Sequence, residues 1–479
     1  MTSPLIHCLT NAVTAPFVAD CIAAVGGRPL MAEAPEECTH LGEAADGLCV
    51  NLGQLTNTKR AAILASVQRR GPRPWVLDPV GVGFFADRLD FAHQLLTYGP
   101  TCLRGNASEI WALATGGQSG SGIDSNLTTP VDWAEQTQAL NAKEICLTQA
   151  AKGPGPRDLS LVNGRATWFG GGRALMGQLS GFGCALSAVT ATLEAQALGA
   201  EARRVDALRV EVRRADARRA NAQRVDGLET QSVGAGAQAL DLFSKAGQAT
   251  QATGFGEFRQ EFLNHLAHLA RRARALRSLP LYFVAGPQDC DDLPAVLAGA
   301  LAGGITCFQY RPKTKSWDQM VALGTILRAQ CGQAGVPFIV NDSVELAQTL
   351  TADGVHLGQS DGDPLAARRI LGSQALIGQS ISQGDHWAAF DPAVVDYVGL
   401  GPFAATQTKP DARSALGLAG LKALRAGFES IPAVAIGGID AANMAVARSG
   451  GVHGIAVVSA ISRAPDPQAA AQALILSHS

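Results

Sequence analysis

The stretch FQYRPK puts Gln309, Arg311 and Lys313 on alternate positions where an apolar run ends. Alternate residues of a strand leave the same face, so an amide and two cations point one way, a cradle for a diphosphate. VNDSVELA places Asn341 and Asp342 at the end of another apolar run, and GVHLGQSD places Asp361 shortly after the next. Either aspartate alone would serve as a helix N-cap. Two carboxylates beside arginine and lysine also suit a Mg²⁺ ion that bridges protein and substrate phosphate. Further on come Ser380 in GQS, Thr406, Thr408 and Lys409 in GPFAATQTK, Gly438 in AIGGI, and Val458 and Ser459 in VVSAI. The last two motifs read as a phosphate site made of backbone N–H groups and a helix N-terminus. One diphosphate site and one phosphate site imply two phosphorylated substrates that condense as pyrophosphate departs.

A second constellation precedes it. In LSGFGCALSA a Gly-Phe-Gly turn enters an apolar helix and leaves backbone N–H groups unpaired at its N-terminus. A transferring γ-phosphoryl group is the natural guest there. Asp78 in LDPVGVG and Glu109 in LRGNASEI could orient Mg²⁺ and its waters around it. Cys184, the residue at the turn, then lies adjacent to the accepting hydroxyl. The plainer alternative is a small thiol packed at a helix start. Asn11, Met31, Arg104 and Thr148 stand in neighbouring motifs, HCLTN, PLMAEAPEE, LRGNASEI and LTQ.

These residues need strands to carry them. The 479 residues are 47% hydrophobic and 17% charged, enough apolar material for two or more domains. Short runs such as WVLDPV, ICLTQ, LYFVAG, ITCFQY, FIVND, GVHLG, YVGLG, AVAIGG and GIAVVS alternate with Ala-rich helical patterns. That alternation predicts α/β domains with parallel strands. From Leu281 onward, roughly 200 residues suffice for a small (β/α)8 TIM barrel, whose catalytic groups sit at the strands' C-terminal ends. Lys and Arg (39) nearly balance Asp and Glu (41), which argues against nucleic-acid or anionic-membrane partners. Ten scattered cysteines without a CxxC pair predict a reducing, cytoplasmic setting. The start MTSPLIHCLTNAVT lacks a signal-peptide pattern, and no long apolar run suggests a membrane span. Arg204 to Leu228 divides into the pentapeptides RVDAL, RVEVR, RADAR, RANAQ and RVDGL. Five residues advance a helix by about 500°, so the repeat builds no apolar face and reads as a solvated insert.

The barrel motifs FQYRPK, ND, DGVHLGQSD, TQTK, AIGGI and VVSAI resemble those of thiamine phosphate synthase from Leu281 to about Ala471. That family joins 4-amino-2-methyl-5-hydroxymethylpyrimidine diphosphate to 4-methyl-5-(2-hydroxyethyl)thiazole phosphate. The resemblance implies that Gln309, Arg311, Lys313, Asn341, Ser380 and Lys409 hold the pyrimidine diphosphate, with Lys409 also catalytic. It implies Mg²⁺ on Asp342 and Asp361, and the thiazole phosphate on Thr406, Thr408, Gly438, Val458 and Ser459. Pro312 and Ser382 depart from the family pattern.

From Pro4 to about Ala270 the chain resembles hydroxyethylthiazole kinase, a ribokinase-like fold, with Phe182 in place of a threonine. This implies ATP as co-substrate at Arg104 and Thr148, thiazole at Asn11, Met31 and Gly181, and Cys184 as the catalytic general base, its thiolate favoured by the helix dipole. The expected organisation is a kinase-like domain over 1–270 with an insert at about 202–230, a linker over 271–280, and a barrel over 281–479. The expected protein is a bifunctional enzyme acting on small molecules, and a homo-oligomer by analogy with the kinases. The alternative is a synthase carrying a binding-only kinase domain; a tautomerase-like or sensor barrel is a third.

Overall fold

The computed structural model describes residues 3–116, 131–151, 157–216, 234–313, 316–382, 390–405 and 414–476. They form two compact units, one chiefly from 3–201 and 223–269, the other chiefly from 270–479.

The first unit is built on strands β1 (Leu5–Leu9), β2 (Arg28–Leu30), β3 (Gly47–Asn51), β4 (Trp75–Asp78), β5 (Cys102–Asn106), β6 (Glu144–Ala151), β7 (Arg157–Val162) and β8 (Arg165–Gly170). Their order in the sheet is β2-β1-β3-β4-β5-β6-β7-β8. Pairing is parallel from β2 through β6 and antiparallel across β7 and β8. Strands β3 and β4 are buried along their whole length, as unbroken apolar runs must be in a parallel sheet covered by helices. Asn163 and Gly164, both at positive φ, make the tight turn between β7 and β8, the Asn-Gly signature of a type I′ hairpin. The helix Phe182–Asp216 runs into the pentapeptide segment; the repeats beyond Asp216 lie outside the described residues, as do residues 152–156.

The second unit is a closed barrel of eight parallel strands: β9 (Leu281–Ala285), β10 (Cys307–Tyr310), β11 (Phe338–Asn341), β12 (Gly354–Leu357), β13 (Leu376–Ile381), β14 (Tyr397–Leu400), β15 (Ala433–Ile436) and β16 (Gly454–Val457). Strand alternation divides its side chains into two layers. Phe283, Phe308, Phe338, Val355, Val398 and Ile455 pack outward under the helices. Tyr282, Cys307, Ile339, Leu376, Tyr397 and Val434 fill the interior.

The interior layer also receives Ala275 and Leu279, from the end of the helix Phe255–Ser278 and the residue after it. The Arg-rich segment expected to be a linker is therefore helical through Ser278 and closes the barrel's amino-terminal end. Arg271 donates Nε to Asp396 Oδ1 at 3.0 Å, and Arg368 donates to Asp396 Oδ2 at 2.6 Å. The Ile377 amide reaches the same Oδ2 at 2.8 Å. Asp396 is fully buried, so it carries two guanidinium partners in a medium that screens them little. Removing it would strand both arginines, a change that typically costs about 3–5 kcal/mol. Urea unfolding of Asp396→Ala, followed by circular dichroism, should show the barrel destabilised by about that amount. A loss below about 1 kcal/mol would mean that the backbone carbonyls around the two guanidinium groups satisfy them alone.

Candidate active sites

In the first unit the parallel strands bring their carboxyl ends to one edge, where the order around β1 reverses and ligands of open α/β sheets bind. Asn11 lies just past β1, Asn51 ends β3, Asp78 ends β4, Arg104 lies in β5 and Thr148 in β6. The helix Phe182–Asp216 starts at this edge after Gly181, whose φ of 103° few other residues could adopt. Cys184 in its first turn accepts hydrogen bonds from Asn11 Nδ2 at 3.4 Å and Asn51 Nδ2 at 3.2 Å. Asn51 Nδ2 also donates to Asp78 Oδ2 at 2.8 Å, and the Gly53 amide fixes that side chain's orientation by donating to its Oδ1. Ser187 Oγ donates to Asp78 Oδ2 at 2.9 Å, and Arg104 stands 3.7 Å from Asp78 Oδ1. Arg104 also donates to Thr148 Oγ1 at 2.9 Å. A side chain at Gly183 would come within 2.7 Å of the Arg104 guanidinium, so glycine is needed there for arginine to reach the turn.

One expectation is corrected. The helix N-terminus was expected to favour the Cys184 thiolate, but burial pushes the thiol above its ordinary value and the Asp78 carboxylate pushes the same way. Hydrogen bonds from Thr14 and Asn11, and the charge of Arg104, only partly offset this. At neutral pH Cys184 is a thiol. Burial likewise raises Asp78, and burial together with Asp78 raises Glu109 to about 7. Glu109 accepts from the Asn106 amide at 2.9 Å and the Gly81 amide at 3.2 Å, which braces the loop after β4.

Arg104 and Thr148 line a cavity of about 170 Å³ with Gln149, Asp158, Arg173 and Phe182. Gln149 takes the left-handed conformation (φ 57°), and its amide is held by Asp158 Oδ1 at 2.9 Å. Phe182 packs between Phe17 and Phe262, ring centroids 4.8 Å from each, so it anchors the turn to two helices. Met31 stands one residue past the edge strand β2 and does not line this cavity. Lys59 was missed in the sequence. Nearly buried, it donates Nζ to Thr10 O and Gly53 O, both at 2.7 Å, tying the loops that carry Asn11 and Asn51.

In the barrel a single cavity of about 450 Å³ gathers most of the expected residues. Gln309, Arg311 and Lys313 reach it from β10, Asn341 and Asp342 from the end of β11, and Asp361 from the loop after β12. Ser380 joins from β13, with Gly438, Val458 and Ser459 closing the far side. Asp342 holds a left-handed backbone (φ 65°), with its amide bonded to His356 O at 2.8 Å. The left-handed region is uncommon for residues other than glycine, and aspartate is one of the few that enter it readily. Asp361 Oδ2 accepts from the Gly358 amide at 2.7 Å. Two carboxylates and an amide offer hard oxygen donors of the kind Mg²⁺ takes. Thr406, Thr408 and Lys409 lie outside the described residues.

Three barrel residues were missed. Gln288 grips the FQYRPK strand end, with Nε2 on Arg311 O at 2.9 Å and Oε1 on the Lys313 amide at 3.2 Å. Asp289 lies 3.9 Å from the Arg311 guanidinium. Their one sequence signal was the polar run that follows LYFVAG. The third, His356, lines the cavity and bonds Ser380 Oγ at 2.9 Å.

Comparison with known proteins agrees with this division. Residues 281–461 match the thiamine monophosphate synthase family, and residues 1–233 match the hydroxyethylthiazole kinase family. The thiamine-phosphate synthase of Haemophilus influenzae is 41% identical over 210 residues, covering 41% of this chain and 93% of that protein. That of Geobacillus kaustophilus is 44% identical over 201 residues, covering 41% and 90%. The thiamine biosynthesis bifunctional protein ThiM/ThiE of Symbiobacterium thermophilum is 35% identical over 488 residues, covering 98% of this chain and 95% of its own. With both halves matched in order along nearly its whole length, the chain belongs to the family of bifunctional thiamine biosynthesis proteins, a hydroxyethylthiazole kinase half followed by a thiamine-phosphate synthase half.

Proposed function

We propose that this chain phosphorylates 4-methyl-5-(2-hydroxyethyl)thiazole with ATP and then condenses the product with 4-amino-2-methyl-5-hydroxymethylpyrimidine diphosphate, giving thiamine phosphate and pyrophosphate. The observation that carries it is the barrel cavity, which Arg311 and Lys313 line together with Asp342 and Asp361. This pairing of charges suits a Mg²⁺-bound diphosphate better than either a lone cation or a lone anion.

In the kinase half, Arg104 and Thr148 would meet the phosphates of ATP, and the amides of the Gly181 turn would meet the transferring group. Asp78 and Glu109 would hold hydrated Mg²⁺, and a cation there would relieve the repulsion that raises Glu109. Asn11, Met31 and Gly181 would bound the thiazole. The thiolate form of Cys184, a minor species at neutral pH, would take the hydroxyl proton of the thiazole substrate.

In the synthase half, Gln309, Asn341 and Ser380 would hold the pyrimidine while Arg311, Lys313 and Lys409 neutralise the departing pyrophosphate. Mg²⁺ held by Asp342 and Asp361 would supply further charge neutralisation there. The electron-rich ring stabilises the cation left behind, and the thiazole nitrogen captures it. Thr406, Thr408, Gly438, Val458 and Ser459 would hold the thiazole phosphate. A cytoplasmic setting fits ten free cysteines, and no helix among the described residues is long and apolar enough to cross a membrane. A homo-oligomer completes the proposal by analogy with the kinase family.

The deciding assay supplies thiazole, MgATP and pyrimidine diphosphate, beside a second reaction with thiazole phosphate and no ATP. Thiamine phosphate should form in both. Product in the second alone would leave a binding-only kinase half, and product in neither would overturn the condensation.

Three further outcomes are expected. Because the Cys184 thiol titrates above its ordinary value, the thiolate fraction, and with it the kinase rate, should climb as pH rises into the alkaline range. Cys184→Ser should lose about 10²-fold in kinase kcat and flatten that climb while the synthase rate holds. A rate that falls above neutral pH would rule out Cys184 as the base. Asp342→Asn, which keeps a left-handed backbone accessible, should raise the Mg²⁺ concentration for half-maximal synthase rate by about tenfold or more. Asp289→Ala should raise the KM for the pyrimidine diphosphate several-fold and leave that for thiazole phosphate unchanged.

A further inference from the structure

The barrel interior is not wholly apolar. Gln309 Nε2 donates to the Tyr282 hydroxyl at 2.9 Å, and the Tyr282 and Tyr397 hydroxyls lie 2.8 Å apart. The Tyr397 hydroxyl is 3.2 Å from His356 Nδ1, and His356 Nε2 is 2.9 Å from Ser380 Oγ. Both phenols are buried to within 2% of full coverage, and burial holds both protonated. Space is kept for the chain by Gly378, where a Cβ would lie 2.4 Å from His356 Nδ1 and 2.5 Å from the Tyr397 hydroxyl.

The donors set a direction. Tyr282 accepts from an amide, so its own proton is free to pass to Tyr397. The alternative acceptor, the Cys307 sulfur, is weak beside a phenol oxygen. Tyr397 then donates to His356 Nδ1, which leaves the imidazole proton on Nε2. Nε2 donates to Ser380, which lines the cavity and so can direct its own hydroxyl proton to a bound ring.

We propose that Tyr282, Tyr397 and His356 form a one-way hydrogen-bond relay that makes Ser380 a donor to a ring nitrogen of the bound aminopyrimidine. The three are positioning residues for the condensation, acting through Ser380. The relay rests on the assignment of Gln309 and Ser380 to the pyrimidine, and it recognises a heteroaromatic ring with a lone-pair acceptor.

The test uses the full chain with thiazole phosphate and pyrimidine diphosphate. Tyr397→Phe should raise the KM for the pyrimidine diphosphate about tenfold, the size of one hydrogen bond, and leave the thiazole phosphate KM unchanged. In a Ser380→Ala background the same substitution should cost nothing more, because its effect travels through the hydroxyl already removed. Nitrogen-15 spectra of the histidines, with His356 assigned by comparison with His356→Asn, should show the Nε2–H form, a bias that Tyr397→Phe abolishes. Should Tyr397→Phe fail to fold, His356→Ala removes the relay's last step, and it should likewise raise the pyrimidine diphosphate KM alone and add nothing in the Ser380→Ala background. If Ser380→Ala leaves the pyrimidine KM unchanged, the assignment of Ser380 fails and the relay with it. If Ser380→Ala raises that KM but the tyrosine variant adds to it in full, or His356 carries its proton on Nδ1, the relay alone is overturned.

Discussion

A parallel strand cannot return to its neighbour by a tight turn; the chain must cross over the sheet, usually through a helix, before it can add the next strand. Both halves obey this constraint, and it gathers the carboxyl ends of their parallel strands onto one edge. The side-chain hydrogen bonds that Cys184 and Asp78 accept come from groups distant in sequence, as with Asn51 and Cys184. In the barrel the same geometry closes into a ring, so strand ends from all sides converge on one cavity.

The two sites then differ in electrostatics. The kinase half concentrates buried acid: Asp78 is inaccessible to water, Glu109 nearly so, and each raises the cost of ionising the other. Arg104 is the cation that balances them. Such a site is poised for a guest that brings its own cation. The barrel cavity mixes signs, with Arg311 and Lys313 just past the end of β10 and carboxylates on two later loops. In the reaction proposed above, it would accept a diphosphate and its counter-ion together and release them together once the bond has broken.

Much of this was legible in the sequence. Each apolar run quoted from WVLDPV onward lies on a strand, and most of the expected barrel residues reach one cavity, because strand periodicity and the polar residue at each strand end are local signals. What could not be read depended on distant partners. Asp289 reaches Arg311 only because β9 and β10 are neighbours, and HLARRARALRSLP looked like a junction because Asp396 lies 125 residues away from Arg271. The Cys184 thiol was misjudged for a related reason. A helix start is visible in a dozen residues, but the burial that outweighs its dipole is contributed by the whole sheet. His356 stood inside a quoted motif, yet its role appears only when Gly378 clears space beside Tyr397.

The end of the helix Phe255–Ser278 bears on how such a chain can be rearranged. The matched synthase segment begins at Leu281, but the floor of the barrel is laid by Arg271, Ala275 and Leu279, upstream of it. Genetic exchange at the boundary of sequence similarity would deliver a barrel with an open base and an Asp396 left with Arg368 as its one guanidinium partner. A transplantable synthase module has to carry that last stretch of helix with it, and a shuffled gene lacking it would need another apolar plug with a cation at the same height.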